Sequence, residues 1–524
     1  MAGSTDMKQL FFFLILITLS SVSQGMWPEG NKGFHYSVSF PVTQPNGYHV
    51  EFTLTGLRED TLLLKMPRWM PGYYQIMDYA KDVENIAAVD EQGTPVPLSQ
   101  VNGNSWLITG LDGKQVVVSY DIRTQRKFVA VSYVDSTLAY ILPENSYLYV
   151  AGHLHAPATV AVEPRKEWGN IATGLESVPG SKNLYYASDY DILYDCPILA
   201  GRLEELPPFY VNGVEHRFMG YKLGTFDREG FMGDLKKIVQ SAVDMFGEVP
   251  YGNYTFIGIG PGRGGIEHLN NTTISFDGNS LKDRESTQRV LAFIAHEYFH
   301  HFNVKRIRPF ELGPFDYDRE NRTNQLWISE GLTVYYEYLL LRRAGLIDET
   351  TLLKFIEGDI NGYENDEGRH YQTLQQASYY TWEDGPFGTQ GGEGDRSISY
   401  YQKGSVMGLL LDFQIRNETR NEHSLDDVMR YLYREYYQKK QRGFTEAEFQ
   451  QACESVAGVP LASFFEYLYT TKEIDYQKYL GFAGLEITPS TTGEKAGKVP
   501  LITLSRMGAP EEWQREILTS WQEN

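Results

Sequence analysis

In this 524-residue chain, His296-Glu297-Tyr298-Phe299-His300 is the stretch whose residue types and spacing can do hydrolytic chemistry. The run Val290 to Val304 around it is apolar and free of Pro and Gly, which predicts a helix. Two histidines four apart on a helix lie about 40° from each other around the axis and face one metal from the same side. Glu297 directly follows the first histidine, where a carboxylate can hold and deprotonate a metal-activated water rather than fill a ligand position. The bland alternative is a histidine pair satisfied in the core or at the surface. A third ligand decides between the two, because a catalytic zinc takes three protein ligands and keeps one position open.

Downstream, Trp327-Ile328-Ser329-Glu330-Gly331-Leu332 opens a second apolar run that continues through Leu339-Leu340-Leu341 and reads as a helix ending at Gly345. Arg342 and Arg343 stand in its last turn, where cations suit the helix dipole. Glu330 sits near its start among apolar and aromatic residues. A carboxylate there is costly unless paired or bound to a cation, although an acid at a helix start also has a purely structural use.

Together these residues resemble the gluzincins, zinc peptidases whose third ligand is a glutamate on the following helix, and more narrowly the glycyl aminopeptidase family. The resemblance is carried by His296 to Pro309, by Trp327-Ile328-Ser329-Glu330-Gly331, by Ile398-Ser399-Tyr400-Tyr401-Gln402-Lys403-Gly404, and by Pro67-Arg68-Trp69-Met70-Pro71-Gly72-Tyr73-Tyr74 near the amino end. It implies that His296, His300 and Glu330 hold Zn2+, that Glu297 is the general base, and that Tyr401, three residues before Gly404, donates to the oxyanion of the tetrahedral intermediate. A phenol at its ordinary high pKa can make that donation. Tyr400 is the neighbouring alternative, and in a chain of 37 tyrosines aromatic packing is the default use of any one of them.

An exopeptidase must also recognise a free amino terminus. Gly258 to Gly265 is a glycine-rich strand edge followed by Ile266, Glu267 and His268, and Gly264 to His268 resembles the Gly-x-Met-Glu-Asn element of alanyl aminopeptidases, with Ile266 and His268 in place of Met and Asn. A backbone at Gly264 and Gly265 lets a peptide approach closely, and the Glu267 carboxylate can pair with its ammonium group. A glycine turn beside an ordinary surface glutamate is the alternative. No Gly-Lys-Ser/Thr ending follows these glycines, which argues against a phosphate-binding loop.

The elements that must position these residues follow from pattern. From Phe34 to about Ala200, short alternating runs such as His35 to Phe40, Tyr48 to Leu54 and Gln115 to Tyr120 are separated by Asn-Gly and Asp-Gly turns, the pattern of an antiparallel β-sandwich. Pro67 to Tyr74 interrupts it as an aromatic loop, either edge packing or a wall of the cleft. A mixed sheet and one helix, roughly Phe231 to Phe246, should open the peptidase part, after which helices dominate, with starts at Ser424 and Thr445 and a stop at Gly458. The expected organisation is multidomain α+β: a signal peptide over 1–25, an N-terminal β-sandwich over 27–200, a thermolysin-like, mainly helical zinc peptidase domain over 201–475, and a short tail over 476–524. That tail is a candidate remnant of the PDZ-like module the resemblance would append.

Composition bounds the rest. Hydrophobic residues at 42% and charged residues at 22% suit a globular protein, and a net charge of −21 argues against nucleic acid, which rewards clustered Lys and Arg. Lys8, the apolar stretch Leu10 to Leu19 and small residues before Gly25 read as a secretory signal, too short for a confident membrane span. Cys196 and Cys453 fall in different expected domains and read as two buried thiols. Sequons at Asn253, Asn270, Asn271, Asn321 and Asn417 include two beside the expected cleft, which favours a secreted or bacterial periplasmic protein over a glycosylated one. His153 and His155 form a further histidine pair on one strand, read as accidental.

The resulting expectation is a secreted zinc aminopeptidase acting on peptides with a free amino terminus, with a preference for small residues such as Gly or Ala that only the resemblance implies. One alternative is an endopeptidase with the same centre. Another is an extracellular binding protein with structural zinc, which would need neither Glu297 nor Tyr401.

Overall fold

The computed structural model describes residues 33–389, 396–489 and 501–523; the signal-peptide expectation over 1–25 lies outside the described residues. The N-terminal part is built from strands that bury alternate residues. In β1 (Gly33–Ser39), Phe34, Tyr36 and Val38 point inward while their neighbours are half-buried. β1 pairs antiparallel with β2 (Gly47–Thr55), placing Tyr36 opposite Phe52, and the two rings stack at 4.4 Å. With β3 (Val83–Asp90), β4 (Val116–Arg123) and β5 (Ala158–Glu163), they form a seven-stranded sheet ordered Glu176–Ser177, Leu184–Ala187, β5, β1, β2, β4, β3. One pair in it is parallel: β5 runs beside β1, with Phe34 opposite Ala158. Two four-stranded sheets complete this part and share its apolar core. The short helix α1 (Tyr190–Tyr194), capped by Asp189, closes it just before Asp195.

The second part opens with a mixed sheet. β6 (Val214–Gly220) precedes α2 (Arg228–Phe246) and runs parallel to β7 (Asn253–Gly258). After β8 (Gly265–Glu267) comes β9 (Asn271–Ile274), which lies parallel to β7 and antiparallel to β8. β8 is therefore the edge strand. Helices follow: α3 (Arg284–Phe299), a five-residue π-turn Trp327–Gly331 running into α4 (Leu332–Arg343), and α5 (Tyr400–Glu418). The architecture is a β-rich N-terminal domain followed by a helical domain.

Several element bounds differ from the pattern. α3 starts at Arg284, because Asp283 accepts from the Ser286 N–H as N-cap, and ends at Phe299 rather than Val304. The second apolar run is not one α-helix: its first five residues wind as π-helix before α4 takes over. The helices beginning after Ser424 and Thr445 do start on capping boxes, and Gly458 stops the second in a left-handed conformation. The aromatic loop belongs to both parts. Trp69 is fully buried in the core of the second part, its Nε1 donates to the Asp316 carbonyl at 2.8 Å, and its ring meets Trp382 edge-on at 5.1 Å.

The C-terminal segment packs onto the helical domain. A hairpin, Leu485–Pro489 with Ile502–Arg506, precedes a helix over Glu512–Glu523 whose Trp521 is fully buried against Phe413 and donates to the Tyr335 hydroxyl at 2.9 Å. Cys196 and Cys453 are free and buried. Asn271 is fully buried and holds the Asp195 carbonyl, so its side chain is committed inside the fold. Among the described residues, no helix is long and apolar enough to cross a membrane.

Candidate active site

α3 carries His296 and Glu297 through its last turn and His300 just beyond it, all three at least nine-tenths buried. The π-turn brings Glu330 opposite them. The His296 and His300 Nε2 atoms are 3.0 Å apart, and Glu330 Oε2 lies 3.4 Å from the first and 3.2 Å from the second. A tetrahedral zinc with ligands at about 2.0–2.1 Å sets its donors about 3.3 Å apart. The three donors therefore have the edge lengths of one face of such a tetrahedron, which leaves a fourth corner for water or substrate. Two neutral-capable imidazoles and one carboxylate are also the right donor chemistry for that ion. Among the described residues this is the one His/Cys/Asp/Glu group spaced to hold a metal. His153 instead lies 3.6 Å from Glu59, and its ring stacks on His155 at 6.4 Å.

Each imidazole is aimed by its other nitrogen. His296 Nδ1 is 2.8 Å from Glu337 Oε2, and His300 Nδ1 is 2.7 Å from the Asn303 carbonyl oxygen. Such contacts fix tautomer and ring orientation so that both Nε2 lone pairs point at one place. Asn303 also ties the loop after α3 to the π-turn, its Nδ2 donating to the Ile328 carbonyl at 2.8 Å and to Thr333 Oγ1 at 3.1 Å. Pattern reading missed Glu337 and Asn303. The signal for Glu337 was its position seven residues past Glu330, two turns along one face of the same run.

The electrostatics of the cluster are set by burial. Burial opposes ionisation of Glu330, but His300 and His296 outweigh it and hold the carboxyl well below the usual range. For Glu297 burial wins over the same two imidazoles and pushes the carboxyl up to about 8, with Glu267 and Glu330 adding to the rise.

Close backbone approach assembles the surrounding parts. A Cβ on Gly331 would lie 2.5 Å from the Gly404 Cα, so the π-turn and α5 touch main chain to main chain, and α5 begins beside Glu330. On α5 the Tyr401 ring stacks over His296 with centroids 6.0 Å apart at 24°. Tyr400 is fully buried, with its hydroxyl 3.2 Å from Thr381 Oγ1. Of the two tyrosines, it is Tyr401 that lies on the histidine. Burial and the nearby Glu330 charge push its phenol well up.

The edge strand β8 forms the other wall. A Cβ on Gly265 would stand 2.7 Å from Glu297 Oε1, so glycine is what lets the strand lie against that carboxylate. Gly264, in the left-handed region at φ 89°, turns the chain into β8. Glu267 ends the strand, 4% exposed, and its Oε1 has no protein hydrogen-bond donor. Gly72 of the aromatic loop, at φ 90°, covers it: a Cβ there would lie 2.6 Å from Glu267 Oε2. The aromatic loop, β8, α3, the π-turn and α5 thus bring the sequence-predicted residues into a chain of direct contacts.

Two family models match the chain, one described as the peptidase M61 N-terminal domain over residues 35–202 and one as M61 glycyl aminopeptidase over residues 289–407. No curated protein matches. Among solved structures, an aminopeptidase N family protein from Idiomarina loihiensis is 26% identical with a TM-score of 0.81, over 87% of this chain and 79% of that one. An M1 zinc metallopeptidase from Deinococcus radiodurans is 14% identical with a TM-score of 0.52, over 85% and 96%. Aminopeptidase A of Legionella pneumophila is 13% identical with a TM-score of 0.52, over 84% and 49%. The last two likenesses concern the fold.

Proposed function

This chain belongs to the M61 glycyl aminopeptidase family and is a zinc aminopeptidase, and from that premise we propose that it removes single residues from the free amino end of peptides, using the residues around the His296–Glu330 cluster. The observation that carries the reading is Glu267. A buried carboxylate without a protein donor, on an edge strand beside Glu297, is costly unless a cation arrives, and the ammonium group of a peptide is such a cation.

In this reading His296, His300 and Glu330 hold zinc, which, when bound, supplies Lewis-acid polarisation of water and of the scissile carbonyl. Glu267 binds the substrate's ammonium and sets how far the peptide enters. β8, which begins at Gly265 just after the turn at Gly264, offers an edge for the peptide backbone to lie along. Glu297, next to the strand, takes the proton from the attacking water and passes it to the departing amine. Tyr401 donates its phenol O–H to the oxyanion, a donation its raised pKa preserves. The buried setting strengthens each of these charge interactions.

The preference for small first residues such as Gly or Ala, and export to a periplasmic or extracellular space, complete the proposal. The first rests on family resemblance and the second on the leader-like start of the sequence. A chromogenic panel of amino-acyl anilides tests the activity, and comparison of one peptide with its N-acetylated form tests the anchor. Cleavage of both forms at equal rates would remove Glu267 from its role and favour an endopeptidase. Wild type and Glu297→Ala with equal activity would end the catalytic reading.

A further inference from the structure

Beside the anchor lies a cavity of about 540 Å³ between the two domains, lined by Gly72, Tyr74, Asp195, Glu267, Leu269 and Lys305 among others. Two charged residues among these, Asp195 and Lys305, have no part in the chemistry above. Lys305, on the loop after His300, is an ammonium whose side chain is 7% exposed, and its Nζ donates to Asp195 Oδ1 at 2.9 Å. Asp195 comes from the N-terminal domain, directly after α1. Its carboxylate also meets the strand segment that follows the anchor: Oδ1 is 3.1 Å from His268 Nδ1, and Oδ2 accepts from the Leu269 N–H at 2.5 Å.

A buried ammonium pairs with whatever carboxylate is within reach, because leaving it alone is expensive. The carboxylates that act on Lys305 are Asp195, then Glu267, then Glu144. Burial opposes ionisation of Glu144, which is the last of the three to act on Lys305. The competition is therefore between Asp195 and the anchor itself. We propose that Asp195 is a positioning residue for the aminopeptidase site, which holds the Lys305 ammonium away from Glu267 and fixes the His268–Leu269 segment, so that the Glu267 carboxylate stays free for the substrate's ammonium. The proposal rests on the reading of Glu267 as the amine anchor. It gives the N-terminal domain a function in the active site: without Asp195 the protein's own lysine would occupy the place meant for the substrate's amine.

The test uses the full-length zinc-loaded protein with three variants, Asp195→Asn, Lys305→Met and the double variant, each checked for thermal midpoint and zinc content. Asp195→Asn keeps the size of the side chain and one acceptor oxygen, which can still serve the Leu269 N–H, but removes the charge that holds Lys305. Its KM for a free-amine peptide should rise about 10- to 100-fold, the loss of one charge-assisted hydrogen bond, while kcat falls less than about threefold. The ratio of free-amine to N-acetylated peptide cleavage should fall with it. In the double variant the rival ammonium is gone, and KM should return to within about threefold of wild type. A purely structural ion pair would leave the double variant no better than Asp195→Asn. Wild-type KM in Asp195→Asn, or no recovery in the double variant, overturns the proposal while leaving the anchor reading intact. If wild type cleaves free and acetylated peptides equally, the anchor reading falls and the proposal falls with it.

Discussion

Gly265→Ala puts a single methyl group where the edge strand meets Glu297, the proposed general base. Its Cβ would stand 2.7 Å from Glu297 Oε1 and 2.8 Å from the Phe293 ring, and a gap of about 0.7 Å must open to reach ordinary van der Waals contact at 3.4 Å. Both partners sit on α3, and the Glu297 carboxylate, at the end of an unbranched side chain with several rotatable bonds, gives way more easily than the rigid Phe293 ring. A displacement of about 1 Å in a catalytic group costs roughly 100-fold in rate. The expected loss in kcat is therefore about 10- to 100-fold, or about 1.4–2.7 kcal/mol of barrier. Overpacking also costs about 1–3 kcal/mol of stability. The atoms nearest the new methyl belong to Glu297 and Phe293 and not to His296, His300 or Glu330, the proposed zinc ligands, so bound zinc should stay at wild-type stoichiometry. Steady-state kinetics on an amino-acyl chromogenic substrate, with metal analysis of the same preparation, checks this. A kcat within about threefold of wild type would refute the argument, and so would a loss of zinc in proportion to the loss of rate.

Other consequences can be measured separately. Glu337→Gln leaves His296 in place but weakens its orienting contact, so zinc affinity should fall about 10- to 100-fold in chelator competition, with activity restored by excess zinc. Trp69→Ala removes a fully buried indole at the contact between the aromatic loop and Trp382, and should cost about 3–5 kcal/mol in denaturant unfolding. Lys403, fully buried with no hydrogen-bond partner for its Nζ, has its pKa lowered by burial to about 8. A lysine lowered in the folded state penalises folding below that value and ceases to do so above its unfolded pKa near 10.4. Stability should thus rise between about pH 8 and 10.5, and Lys403→Met should flatten that rise and stabilise the protein at pH 7 by on the order of 3 kcal/mol. Unchanged stability in the variant at pH 7 would show that the amine finds compensation.

What the sequence determined on its own was everything that depends on local spacing. Histidines four apart on a helix share a face whatever surrounds them, so the pairing of His296 with His300 and the place of Glu297 beside them followed from periodicity. Capping residues at Ser424 and Thr445 and the stop at Gly458 were equally local, as was the alternation that makes β1 and β2 half-buried strands. Family resemblance extended this reach to Glu330, Tyr401 and the aromatic loop.

The tertiary structure decided what joins distant segments. Glu330 reaches the histidines from a π-wound turn, Trp327–Gly331, whose Gly331 packs on Gly404 of a distant segment, and nothing in that apolar run distinguishes π from α. The placing of Tyr401 over His296, and of the Tyr400 hydroxyl on Thr381, is likewise tertiary, and it is what supports proposing Tyr401 for the oxyanion. Gly265 and Gly72 are merely small in the sequence; only the fold shows that their missing Cβ atoms leave room for the carboxylates of Glu297 and Glu267. Asp195, 110 residues before Lys305, carries no motif at all. A buried charge finds its partner through space, and the distance between two segments is set by how whole domains pack, a quantity that no local pattern encodes.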